Sequence, residues 1–262
     1  MIKDGLLVPQ DVKHLNAEAS QELRIHSIES FGTHDGPGIR MVVFVQGCQF
    51  RCLYCANPDT MDVKGGHFVE IEELVNRAVK QKPYFRKNGG VTVSGGEPLL
   101  QRSVLKKFFN RLHEEDIHTV LDSNGRLIDQ QAKELLDVTD LLMLDVKHFN
   151  NAWHKKLTGL SNTNTFKVAE YRESTGKPMW LRYVLVPGWS DQEEHLHELG
   201  KYFKDYRHIE RLEILPYHRL GVHKWEALGM EYKLKNVAPP DAQKLEDVAL
   251  IFKNYFKDVR VN

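Results

Sequence analysis

Apolar positions along this chain fall into two alternating rhythms. Six short runs are rich in β-branched and aliphatic residues: 40–47, 90–96, 118–125, 141–147, 180–188 and 211–218. They are largely apolar on both faces, the pattern of parallel strands covered by helices. Between them the apolar residues recur every three or four positions. Residues 103–116 place Val104, Leu105, Phe108, Phe109 and Leu112 on one side of a helix, with Ser103 available as its N-cap. Residues 190–206 open with Ser190 and Glu193 at capping-box spacing and continue with a stripe of Leu196, Leu199 and Phe203. Further helices are read over 70–80, 129–137, 163–172 and 240–256, the last begun by Pro240 and Asp241. Strand and helix thus alternate about six times. That predicts an α/β fold, a partial (β/α)6 TIM-like barrel with parallel strands inside and helices outside. A complete barrel has eight units; one of six leaves a lateral gap through which something large can enter.

The segment 1–20 is polar except for Leu6–Val8, so it is expected to be a loosely packed N-terminal extension. Residues 21–262 are expected to form a single domain, since no repeat or linker divides them. Lys plus Arg and Asp plus Glu each number 36, a balance that implies neither nucleic acid nor an anionic membrane as partner. No run of 18 apolar residues and no secretory signal pattern is found. Together with an odd, clustered cysteine count this places the chain in a reducing, cytoplasmic setting. A monomer is the default expectation.

Polar chemistry concentrates where the predicted strands end, which is where such barrels carry function. All three cysteines, Cys48, Cys52 and Cys55, follow the first strand. Gly95, Gly96 and Glu97 follow the second, and Asp122, Ser123 and Asn124 the third. Asp145 and Lys147 close the fourth, Arg182 lies along the fifth and His218 ends the sixth. Three thiols in one turn rich in Gly, Gln and Arg are not a core pattern, although unpaired cysteine is often buried. Structural zinc is usually held by four protein ligands, and the nearest later candidate, His67, lacks a second pair. The remaining reading is an iron–sulfur cluster with one iron free of protein ligands. At 94–98, two residues without side chains let backbone carbonyls approach a ligand, and Glu97 can meet an ammonium. Taken alone, Gly-Gly before Pro is a turn signature.

The spacing CxxxCxxC at Cys48, Cys52 and Cys55, with the aromatic Tyr54 before the third cysteine, resembles the signature of radical S-adenosylmethionine (SAM) enzymes. The resemblance implies that these thiolates hold a 4Fe-4S cluster whose remaining iron is chelated by SAM. It further implies reductive cleavage of SAM to methionine and a 5′-deoxyadenosyl radical, with no residue assigned acid–base or nucleophilic work. By the same resemblance SAM contacts fall to Tyr54, Cys55, Ala56, Gly95, Gly96, Glu97, Asp145, Val146, Lys147, Arg182 and His218. Asp122, Ser123, Met143 and Asp145 resemble a monovalent-cation site. Longer stretches at 29–40, 47–60, 89–101, 140–148, 181–191 and 215–229 are similar to the pyruvate formate-lyase activating family of glycyl-radical-enzyme activases. That similarity implies a protein substrate, the glycine loop of pyruvate formate-lyase, met by Asp35 in the turn GTHDGPGIR. It also implies a flavodoxin or ferredoxin as electron donor. Activation of another glycyl radical enzyme, or a non-catalytic iron–sulfur or zinc module, are the alternatives.

Overall fold

The computed structural model describes residues 13–16 and 19–262. Most of the expected extension, residues 1–12 and 17–18, lies outside the described residues. Within its described part Leu15 is buried, and Asn16 bonds Gln131 Oε1 and the Ser103 N–H at 2.7 Å each. The chain divides into two compact units, Met1–Gln49 with Thr60–Met143, and Phe50–Asp59 with Leu144–Asn262.

In the first unit the strands are β1 (Glu22–Gly32), β2 (Arg40–Val45), β3 (His67–Glu70), β4 (Gly90–Gly95) and β5 (His118–Ser123), ordered β3-β1-β2-β4-β5. The strand β6 (Leu141–Asp145) begins here and ends in the second unit. β2, β4 and β5 are parallel, with Val42 opposite Thr92 and Thr92 opposite Val120. Their Val42, Val43, Val91, Val93, Val120 and Leu121 are fully buried, which accounts for runs apolar on both faces. Three helices cover this sheet: α1 (Ile71–Phe85), α2 (Arg102–Glu114) and α3 (Gln130–Val138). The stripe foreseen for α2 is its buried face. The Ser103 cap is not: Gln101 holds that position and the Ser103 hydroxyl has no partner, because the Asn16 side chain takes the Ser103 N–H instead. The expected sequence pattern also passed over β1 and β3. β1 pairs antiparallel with β2 and β3 and alternates buried with open positions, so it never reads as a continuous apolar run.

The second unit holds α4 (Asn151–Thr158), α5 (Thr163–Ser174), β7 (Met179–Leu185), α6 (Glu193–Phe203), β8 (Ile209–Pro216), α7 (Val222–Ala227), α8 (Ala242–Lys253) and β9 (Val259–Val261). β7, β8 and β9 are parallel neighbours, Tyr183 facing Ile214 and Ile214 facing Val261. Asp241 caps α8 as foreseen, its carboxylate accepting the Lys244 N–H at 2.8 Å. Ser190 does not cap α6, which starts after Gln192. Its buried hydroxyl instead accepts the Val186 N–H and donates to the Val184 carbonyl, both at 2.8 Å, closing the turn after β7.

All six expected strands are present in an α/β chain whose sheet is mostly parallel. Each stops short of its expected C-terminal end. The residues released include the polar Gln46, Asn124, Lys147 and His218 alongside Gly47, Gly96, Val146 and Val186. Strand pairing ends where the backbone turns aside to present these groups. No helix among the described residues is long and apolar enough to cross a membrane.

Candidate functional site

In the first unit the ends of β2, β4 and β5 are drawn into one network. Gly47 N–H donates to the Thr60 carbonyl at 2.8 Å and Cys48 N–H to Met61 at 3.3 Å, closing the base of the cysteine loop. Glu97 N–H donates to the Gly47 carbonyl at 2.7 Å, and Gly96 N–H to Val45 at 2.9 Å. A Cβ on Gly96 would come within 2.1 Å of the Gly47 oxygen, and Gly95 has φ +107° with the Val45 nitrogen 2.6 Å from where its Cβ would be. Two glycines are therefore demanded by backbone contact alone, before any ligand is considered.

Glu97 is 0% exposed. Its carboxylate accepts from the Ser123 hydroxyl at 2.6 Å, the Asn124 N–H at 2.8 Å and the Leu99 N–H at 2.9 Å. All three bonds are internal, so Glu97 acts as the rivet between the strand ends. Beside it Ser94 donates to Asp122 at 2.6 Å, and Met143 is buried in β6. Asn124 donates through Nδ2 to Cys48 Sγ at 3.8 Å. Asp35 sits elsewhere in this unit, near the N-terminal ends of the parallel strands. Its carbonyl accepts from Thr92 Oγ1 at 2.6 Å, in a turn whose Gly36 and Gly38 have φ +118° and +74°.

Burial lifts the Glu97 carboxyl to about 7, although its three donors pull the other way. A folded value above the unfolded one of 4.5 favours the protonated form. Its stability contribution is therefore complete below about pH 4.5 and lost as pH rises through about 7. The loss is about 3 kcal/mol across that window. Subtracting the denaturation curve of Glu97→Gln from that of the parent between pH 4.5 and 8 is expected to isolate this slope. Parallel curves would refute it.

In the second unit the rest of the cysteine loop is fastened at several points. Arg51 and Leu53 N–H groups donate to the Thr158 and Leu157 carbonyls of α4 at 2.8 and 2.9 Å. Trp225 Nε1 of α7 donates to the Cys55 carbonyl at 2.9 Å, and Lys224 reaches Asn57 and Asp59. Gly221 packs directly on the Ala56 backbone. Lys147 is ion-paired to Asp145 at 2.6 Å and stands 5.8 Å from the Tyr54 ring. Burial acts to lower the Lys147 pKa, but Asp145, Tyr54 and Cys52 outweigh it and raise it well above its ordinary value. Val146 N–H donates to the Arg182 carbonyl at 2.9 Å, and the Arg182 guanidinium faces the buried Glu213 at 3.8 Å. His218 is exposed, its Nδ1 accepting the Leu220 N–H at 3.3 Å. Burial pushes the Cys52 thiol up to about 12 and raises Cys55 as well, while the Lys147 ammonium opposes both shifts.

The strand-end arrangement and cysteine loop define a radical SAM enzyme: residues 42–200 match the family described as the Radical SAM superfamily, to which the chain belongs. Solved structures share the fold. SuiB of Streptococcus suis, bound to the precursor peptide SuiA, matches with a TM-score of 0.67 at 17% identity over 90% of this chain and 50% of that one. A domain of a pyruvate-formate lyase-activating enzyme from Bacteroides vulgatus matches at 0.56 and 22%, over 66% and 99%. Within the superfamily the chain belongs to the pyruvate formate-lyase activating enzymes. It is 48% identical over 235 residues to pyruvate formate-lyase 1-activating enzyme of Escherichia coli K12, covering 88% of this chain and 96% of that protein. To pyruvate formate-lyase-activating enzyme of Staphylococcus epidermidis it is 46% identical, covering 85% and 92%.

The cofactors of this family are a 4Fe-4S cluster and SAM, and the residues present fit them. Among the described residues no three His, Cys, Asp or Glu side chains form a ligand set for a single ion. A four-iron cluster asks for something else, one thiolate to each of three irons. Burial in the cysteine loop favours the thiol form of Cys52 and Cys55, and bound iron would supply the positive charge that makes thiolates of them. Gln49, next to Cys48, is 8% exposed with neither amide atom hydrogen-bonded. A buried orphan amide is uncommon, and it suits a loop folded around a sulfur-rich group.

Proposed function

We propose that this protein activates pyruvate formate-lyase by installing a glycyl radical on it in the cytoplasm. The observation that carries the reading is the joint presence of three cysteines in one loop and near-full-length similarity to activases of that enzyme. When bound, cluster and SAM together supply a one-electron cleavage whose product radical removes a hydrogen atom from a backbone glycine.

The chain's own work is to hold and orient. Cys48, Cys52 and Cys55 anchor three irons. Lys147, kept charged by Asp145, is assigned to the SAM carboxylate, which supports a charge-assisted bond in a largely buried position. Gly95 and Gly96 offer backbone to the SAM ammonium, with Glu97 fixing their turn. Tyr54, Cys55, Ala56, Val146, Arg182 and His218 complete the proposed SAM contacts. Asp122, Ser123, Met143 and Asp145 are proposed to take a monovalent cation, as oxygen-rich donors do. Asp35 is proposed to hold a backbone amide of the partner's glycine loop. A flavodoxin or ferredoxin donates the electron, and the working unit is a monomer.

The test is an electron-spin measurement. Anaerobically reconstituted protein, reduced and given SAM and pyruvate formate-lyase, is expected to produce a glycyl radical signal on the partner. A partner with its radical glycine replaced by alanine is expected to give none. SAM cleavage without any signal on the native partner would move the reading to another glycyl radical enzyme. An inert cluster, or bound zinc, would make the chain a non-catalytic module.

A further inference from the structure

Asn124 follows β5 and is 6% exposed. Each of its polar groups has a defined place. Its backbone N–H donates to Glu97 Oε2 at 2.8 Å, and its Oδ1 accepts the Arg126 N–H at 3.0 Å. That second bond fixes which end of the carboxamide turns outward, and it is Nδ2 that reaches Cys48 Sγ at 3.8 Å. A sulfur acceptor is large, so an N–H donor at this distance is in hydrogen-bond contact. The first anchor ties the Asn124 backbone to the Glu97 rivet and the second is a local turn bond that fixes its side chain, so the amide does not hang from one free rotamer.

We propose that Asn124 sets the reduction potential of the cluster through its N–H bond to the Cys48 sulfur. The inference rests on the reading of Cys48 as a ligand of a 4Fe-4S cluster. A hydrogen-bond donor at a ligating sulfur draws electron density from it and favours the more electron-rich, reduced state over the oxidised one. One electron enters from an external low-potential donor and no bond to Asn124 forms or breaks. Asn124 is therefore a positioning residue acting through Cys48, which touches the iron.

Two substitutions separate the donor from the scaffold. Asn124→Asp keeps an oxygen for the Arg126 N–H and leaves the backbone bond to Glu97 in place, yet replaces the sulfur-facing donor with an anion. Asn124→Ala removes the donor and the turn acceptor together. Spin-monitored redox titration of reconstituted full-length protein with dithionite, using iron content as a parallel readout, reads the effect. Parent and both variants are expected to load about four iron per chain. At a fixed poise the reduced-to-oxidised ratio is expected to fall about tenfold in Asn124→Ala, which is about 59 mV for a one-electron couple. In Asn124→Asp it should fall further. A parent potential retained in Asn124→Asp, with the shift confined to Asn124→Ala, would show that only the turn matters and would overturn the proposal. So would an Asn124→Asp protein that loads no cluster, since Asn124 would then be structural support. Zinc or no iron in the parent would instead sink the cluster reading itself, a result the iron assay separates from the others.

Discussion

Each of Cys48→Ser, Cys52→Ser and Cys55→Ser is expected to abolish glycyl radical formation, by at least about a thousandfold, and to strip the protein of its four-iron absorbance. The chain has three cysteines and no more, so no spare thiolate can migrate into a lost position. Serine offers a hard oxygen of high pKa where the cluster demands a soft thiolate. The loss should be chemical and not a matter of folding. The loop is fastened by backbone bonds from Gly47, Cys48, Arg51 and Leu53, and by the Trp225 indole on the Cys55 carbonyl. None of these uses a sulfur. Thermal midpoints of the variants without iron are thus expected to stay within a few degrees of the parent without iron. Iron assay, visible absorbance and SAM cleavage measured on the same samples check this. A serine variant that kept a full iron complement and cleaved SAM at the parental rate would remove the basis for assigning the cluster to this loop.

The parts of this molecule legible in its sequence are those in which burial writes itself into composition. Runs such as 40–47 and 141–147 are apolar on both faces because their strands are covered on both sides, so all six strands were visible. β1 was not, since a strand at the antiparallel side sets buried Leu23 and Ile25 between Glu22, Arg24 and His26, continues through partly open Ser27 and exposed Glu29, and resembles a polar segment. Helix stripes were legible for the same reason as the strands, whereas of the caps only Asp241 was. Ser103 and Ser190 both have the right chemistry at plausible positions, but Asn16, 87 residues earlier, supplies the bond at one and a turn after β7 claims the hydroxyl at the other. Capping is decided by which competing donor or acceptor arrives, and that is tertiary information.

At the site, residue types pointed to the chemistry and spacing pointed to the cysteines. The division of labour within the GGE segment was hidden. Glu97, which the sequence offers as a partner for an ammonium, spends its carboxylate on Ser123, Asn124 and Leu99. Asn124 was visible only as one of three polar residues ending a strand. Its bond to Cys48 spans 76 positions and has no local signature.

Arg40→Met is expected to destabilise the protein by about 3–5 kcal/mol, the cost of breaking a buried charged network, which lowers the melting temperature by roughly 10 °C in a chain of this size. Arg40 is 0% exposed, and burial pulls its guanidinium down to about 9, with Asp140 and Asp35 holding it that high. It is therefore charged at neutral pH, and every nitrogen is engaged. Nε donates to Thr92 Oγ1 at 2.6 Å, Nη1 to the Pro37 and Asn88 carbonyls at 2.9 and 3.3 Å, and Nη2 to the Val91 and His118 carbonyls at 2.8 and 3.1 Å. Methionine would fill the stem's volume and leave those oxygens without donors. Arg40→Lys is expected to recover little, since one ammonium cannot span a fork that reaches five acceptors. The same network fixes the turn bearing Asp35, because Thr92 passes from Arg40 to the Asp35 carbonyl and Arg40 itself holds Pro37. Well below the lowered melting temperature, Arg40→Met should therefore install fewer glycyl radicals on the partner while cleaving SAM in the partner's absence at a rate near the parent's. That split distinguishes a loosened Asp35 turn, proposed above to meet the partner, from general collapse. Equal loss of both activities would mean the damage spreads to the cluster loop, and an unchanged melting temperature would mean the buried guanidinium is not the clamp its contacts describe.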